Sequence, residues 1–232
     1  MSQLKTIDVT QTEIDERTLI SQVYLWMTTA LVVTAVIAAW VSSNTLFIYR
    51  LVSGPIFWIL MIGELGLVVV LTALIKRMSP AVATLVFFAY AALNGVTLSL
   101  IFLIYTDASI TSTFLVTAAT FGATSAYGYF TKRDLTSMGS FLVMGLIGFV
   151  IASVVNLFLQ STTIYWILTY LGILIFVGLT AYDTQKIKRL AAGGLTGADI
   201  ERKASILGAL TLYLDFINLF LLLLRVLGVR RR

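Results

Sequence analysis

LGALTLYLDFINLFLLLLRVLG, residues Leu207 to Gly228, is a strongly apolar stretch with one carboxylate, Asp215, near its middle. About 20 residues at ~1.5 Å rise cover the ~30 Å hydrocarbon core of a bilayer, so the stretch is long enough to span a membrane as a helix. A mid-membrane Asp costs about 2.5 to 3.5 kcal/mol on insertion scales. Asp215 must therefore be paired, neutralised or turned toward a protein-lined cavity.

Six further apolar segments precede this one. They run approximately over residues 20–41, 53–75, 81–105, 110–130, 137–159 and 163–185, and with the last they predict an all-α polytopic membrane protein of seven transmembrane helices. Across 232 residues the chain is 59% hydrophobic and 12% charged, too apolar for a soluble domain of this size. Residues 1–19 read as a mobile or amphipathic cytoplasmic tail with acidic Asp8, Glu13, Asp15 and Glu16. Residues 20–229 form the membrane domain and 230–232 a basic tail. Ser42 to Arg50 is expected to be a polar turn. Lys186 to Lys203 is the one long polar loop, made flexible by Gly193, Gly194 and Gly197. Gly139, Gly145 and Gly148 suggest close helix packing in the fifth segment.

The chain has neither cysteine nor histidine. Thiol catalysis and thiolate metal sites are thereby excluded, and any response between about pH 5 and 8 falls to carboxylates in unusual surroundings. The net charge of +5 does not point to nucleic acid, because Lys and Arg at helix ends set orientation in a membrane. Eleven of the 16 Lys and Arg lie in the N-terminal tail and in the loops after segments two, four and six, which favours a cytoplasmic N-terminus. Arg225, Arg230, Arg231 and Arg232 then fall on the opposite side, against the rule. Either the last segment crosses regardless or it re-enters as a hairpin; crossing is favoured because nothing between Leu207 and Gly228 breaks the helix. The short tail and the missing cysteines suggest a bacterial plasma membrane protein.

Several polar residues interrupt the apolar segments. Glu64 lies about 11 residues in from the cytoplasmic end of its segment, at a depth similar to that of Asp215. Asn94 and Asn218 can join them as a polar layer, Asn218 lying one helical turn from Asp215. Such a layer suits a cation path or a proton-linked switch, and equally a structural hydrogen-bond network. Arg77 and Asp183 both fall near the cytoplasmic face, where they can latch; Lys76 reads better as an interfacial anchor. Asp183 is shallower than Asp215 by several residues, and the two meet only if the last helix begins well inside the cytoplasm. No feature of the sequence fixes that offset.

Residues Gly178-Leu-Thr-Ala-Tyr182-Asp183-Thr-Gln185-Lys186-Ile187-Lys188, then Ala209-Leu-Thr-Leu-Tyr213-Leu-Asp215-Phe-Ile-Asn218-Leu-Phe220, resemble the signature of the Bax inhibitor-1 (transmembrane Bax-inhibitor-motif) family. Glu64 and Asn94-Gly95-Val96-Thr97 extend the resemblance over essentially all the membrane region. It implies a seven-helix fold with the C-terminal helix central and a pH-sensitive calcium leak, with Ca²⁺ as transported ion and no bound cofactor. It further implies that Asp183 and Asp215 share a proton and sense pH, and that Arg77 latches to Asp183; the two aspartates are also the candidate Ca²⁺ contact. An alternative reading is a non-transporting interaction protein that restrains a membrane-bound protease. An intramembrane aspartyl protease fits less well, because Asp215 is not in a Gly-x-Gly-Asp turn and both prolines, Pro55 and Pro80, lie far upstream.

Overall fold

The computed structural model describes residues 2–193 and 197–231, without the side chains of residues 2–16, 45 and 52. The acidic side chains of the N-terminal tail, Gly194 of the expected loop and Arg232 lie outside the described residues. The described chain is helical throughout: α1 (Ser2–Ser42), α2 (Thr45–Ser53), α3 (Ile56–Leu74), α4 (Pro80–Leu98), α5 (Ile101–Ile104), α6 (Asp107–Phe130), α7 (Thr136–Leu159), α8 (Thr162–Ala192) and α9 (Ala198–Leu227).

Among the described residues six segments are long and apolar enough to cross a membrane: Arg17–Ser42, Ile56–Leu74, Pro80–Ile104, Thr136–Leu159, Thr162–Ala192 and Ala198–Leu227. The fourth expected span, α6, has the length but not the hydropathy. Its composition explains this. Ser109, Thr113, Thr117 and Ser125, at helical spacing, form a hydroxyl-bearing stripe that is buried inside the protein. Thr117 Oγ1 donates to the Thr113 carbonyl at 2.8 Å, so the helix itself satisfies part of the stripe.

Two expected loops are helices instead. The polar turn after the first span is α2, capped by Asn44, whose Oδ1 accepts from the Phe47 amide at 3.1 Å. Ile48 and Leu51 of α2 are buried. The long polar loop after the sixth span shrinks to the connection between Ala192 and Ala198, because Lys and Arg are good helix formers and charge alone does not stop a helix. Gly197, at φ +110, supplies the left-handed backbone that lets the chain turn into α9. Asp199 and Glu201 in the first turn of α9 and Arg225 in the last complement its dipole.

The chain packs as two compact units. The first holds the chain up to Tyr105 together with Arg189–Tyr213; the second holds Thr106–Lys188 and Leu214–Arg230. In the first, α1 packs along α4, and a methyl group at Gly95 would lie 2.8 Å from the Thr34 carbonyl oxygen. In the second, Ile175, Phe176 and Leu179 of α8 interlock with Leu219 and Leu222 of α9. Apolar burial does not drive helices together in lipid, so this close packing is itself what holds them. Of the most apolar window in α9, 67% is buried, against 44% in α8 and none in α7, which makes α9 the most enclosed membrane helix. The exposed Phe141, Met144, Ile147, Ile151 and Phe158 of α7 are suited to lipid contact.

Candidate functional site

The second unit holds the two aspartates. Asp183 of α8 and Asp215 of α9 are both buried, at 8% and 4% exposure, and lie close enough for their carboxyl groups to interact. Two carboxyl groups so placed have the chemistry to share one proton, since one can donate only when protonated. Asp215 Oδ2 is buried with no hydrogen-bond partner among the described residues. α9 begins at Ala198, nine residues before the apolar stretch, and Asp215 comes beside Asp183.

The residues around Asp183 hold α8 in place. A methyl group at Gly128 of α6 would lie 2.2 Å from the Ala181 carbonyl oxygen, and one at Gly139 of α7 would lie 2.3 Å from the Tyr182 ring. Gly139 thus serves the packing role expected of it, whereas Gly145 is in ordinary contact with Ile175 and Gly148 faces open space. The Gln185 amide joins both strands of the α6–α7 turn: Nε2 donates to the Arg133 carbonyl at 2.8 Å and Oε1 accepts from the Leu135 amide at 2.9 Å. Lys188 Nζ donates to the Tyr129 carbonyl at 3.0 Å and lies 4.5 Å from the centre of the Tyr129 ring. The Tyr-Asp-Thr-Gln-Lys-Ile-Lys run therefore anchors α8 to α6, to α7 and to the turn between them. Lys186, one turn beyond Asp183 and exposed, acts electrostatically on Asp183 and lies 5.9 Å from the centre of the Tyr182 ring. Lys186 is not among the site residues expected from the sequence; its i+3 spacing from Asp183 is the signal that points to it.

Asn218, also in this unit, donates from Nδ2 to the Leu214 carbonyl at 2.8 Å and lines a cavity of about 330 Å³ with Ser153, Asn156 and Arg225.

The first unit holds the other carboxylate. Glu64 of α3 accepts from the Thr97 hydroxyl at Oε1 and from Asn94 Nδ2 at Oε2, the latter at 3.4 Å. Tyr213 donates its hydroxyl proton to Asn94 Oδ1 at 3.1 Å, and Thr34 Oγ1 lies 2.7 Å from the Tyr213 oxygen and 2.9 Å from the Ala91 carbonyl. Because Tyr213 has one proton and gives it to Asn94, the Thr34 proton serves Tyr213 or Ala91. The donors thus run from Tyr213 through Asn94 to Glu64. Phe87 and Tyr90 close around the Tyr213 ring at 6.1 and 5.7 Å between centroids. Thr34 and Tyr213 are absent from the sequence-derived site, since a lone Thr or Tyr in an apolar helix carries no signal of its own. Arg77 is exposed in the turn after α3, as is Lys76.

Long apolar helices with carboxyl groups buried among them define a polytopic membrane protein with ionisable groups inside its membrane region. Residues 16–232 match the family model described as inhibitor of apoptosis-promoting Bax1, and the chain belongs to this Bax inhibitor family. It is 52% identical over 223 residues to inner membrane protein YbhL of Escherichia coli strain K12, covering 93% of each chain. An uncharacterized protein of Rickettsia prowazekii is 48% identical over 212 residues, covering 90% of this chain and 89% of its own. One of Borreliella burgdorferi is 42% identical over 229 residues, covering 97% and 99%.

Proposed function

We propose that this protein is a pH-sensitive calcium leak channel of the bacterial inner membrane, with seven crossings and a cytoplasmic N-terminus. The observation that carries the reading is the Asp183–Asp215 pair: two interacting carboxyl groups buried in membrane helices. Membrane-buried acids that share a proton change charge as pH changes, which is the requirement for a proton-linked gate. The membership in the Bax inhibitor family and the inner-membrane name of the Escherichia coli relative support the class and the membrane.

In this mechanism ionised Asp183 attracts a basic residue, Arg77 or Lys186, and holds the cytoplasmic end shut. Protonation removes that charge, the attraction is lost, and flux rises as pH falls. Ca²⁺ is cargo here. No cluster of three or more acidic, His or Cys ligands occurs among the described residues, and two carboxylates supply fewer than the six to eight oxygens of a tight Ca²⁺ site. A weak, transient contact at the pair, including Asp215 Oδ2, suits an ion that must leave again.

The test is Ca²⁺ entry into dye-loaded proteoliposomes over about pH 5 to 8, where carboxylates in unusual surroundings would titrate. Flux should rise toward low pH and lose that dependence in Asp183→Asn and Asp215→Asn. Entry no faster than into empty liposomes at every pH sinks the channel reading and favours the interaction protein.

A further inference from the structure

The second unit contains a larger cavity that the aspartate mechanism does not use. It has a volume of about 720 Å³ and opens where α7 ends, α8 begins and α9 ends. Arg225 and Arg230 both line it, together with Asn156, Gln160, Tyr165 and Trp166, and no carboxylate is among the described residues that do. Two guanidinium groups on one concave wall repel each other unless an anion lies between them.

The wall is prepared for such an anion. The Arg225 guanidinium lies 5.1 Å from the centre of the Tyr165 ring, a cation–π contact that uses the face of the guanidinium and none of its N–H donors. Asn156 Oδ1 accepts from the Ser161 amide at 3.1 Å, so its NH₂ group is the part that faces other partners. Gln160 ends α7 in a left-handed conformation, at φ 50, which reverses the chain at the cavity mouth. Trp166 and Tyr165 are residues that favour headgroup depth in a bilayer. A planar guanidinium pair with amide donors and flanking aromatics matches the oxygens of a phosphate group.

We propose that this cavity binds a phosphate-bearing anion at the membrane interface, with Arg225 and Arg230 as its principal donors. The proposal gives a role to two of the arginines whose position contradicts the positive-inside pattern: they are retained for a ligand, and orientation is set by the other charges. It is independent of the channel reading, since none of its residues belongs to the aspartate pair.

The experiment uses the full chain in neutral detergent and native mass spectrometry, with short-chain phosphatidylglycerol, phosphatidylcholine of equal chain length, and inorganic phosphate as probes. One phosphatidylglycerol should bind saturably, with at least tenfold preference over phosphatidylcholine. Arg225→Gln and Arg230→Gln should each weaken it by about tenfold, the scale of a lost charged hydrogen bond. Arg50→Gln, which removes an exposed interfacial charge on α2, should leave it unchanged. Displacement by inorganic phosphate supports recognition of the phosphate alone; retention against it supports a lipid headgroup as the source. Arg230 lies beyond the end of α9 and is exposed, so its variant should fold even if Arg225→Gln does not. Equal binding of the two lipids, an equal loss in Arg50→Gln, or native affinity in Arg230→Gln overturns the proposal.

Discussion

Asp183 and Asp215 lie beside one another out of water, and in the proposed mechanism they hold one proton between them. Adding the second proton as pH falls discharges Asp183, so flux should increase toward acid and the increase should vanish in either Asn variant. The basic partner can be identified the same way. If Lys186, whose charge acts on Asp183, is the closing group, Lys186→Gln should raise neutral-pH flux and Arg77→Gln should not; a latch through Arg77 gives the reverse. In the Glu64 cluster, Tyr213→Phe removes the donor to Asn94 Oδ1 and leaves a buried acceptor unpaired. A loss of about 1 kcal/mol is expected, read by reversible unfolding in detergent. No change in stability would show that the Thr34–Tyr213–Asn94 chain does not hold the first unit together.

Helices set the spacing that those residues need. The Asp183-bearing turn of α8 is seated by glycines on two neighbours, Gly128 and Gly139, where an added methyl meets backbone at 2.2 Å and an aromatic ring at 2.3 Å. Gly139→Ala should cost roughly 1 to 3 kcal/mol, as overpacking does, and should alter the pH dependence of flux because Tyr182 adjoins Asp183. Gly148→Ala on the same helix, which meets nothing within 4 Å, is the matched control and should be neutral. At the other end of α8, Gly197 adopts a φ of +110 that side-chain-bearing residues rarely tolerate. Gly197→Ala should destabilise the chain by about 1 kcal/mol, measured as a lower thermal midpoint.

At the scale of the whole molecule the open issue is orientation, and the absence of cysteine makes it directly measurable. Single cysteines at Ser43 and Ser161 should react with a membrane-impermeant thiol reagent from outside the cell, and those at Ser79 and Lys132 only after the membrane is opened. The decisive pair brackets α6: Thr106→Cys and Thr131→Cys should label from opposite sides if its buried hydroxyl stripe crosses the bilayer. Labelling of both from one side would leave six crossings and return the C-terminal arginines to the cytoplasm.

Composition and period alone determine that this chain is an all-helical membrane protein, because no soluble fold tolerates so many apolar runs of spanning length. They also pick out Glu64, Asn94, Asp183 and Asp215, since charge or amide inside such a run is costly and therefore conspicuous. α2 and the extended ends of α8 and α9 escaped that reading because polar residues at a membrane surface look alike in a loop and in a helix. α6 is the converse case: its hydroxyls weaken the apolar signal, and only packing reveals that they are turned inward. The meeting of Asp183 with Asp215, and of Asn94 with Tyr213 and Thr34, depends on how far one helix slides along another. That offset is set by glycine contacts and interlocked side chains between segments distant in the chain, and so only the tertiary structure decided it.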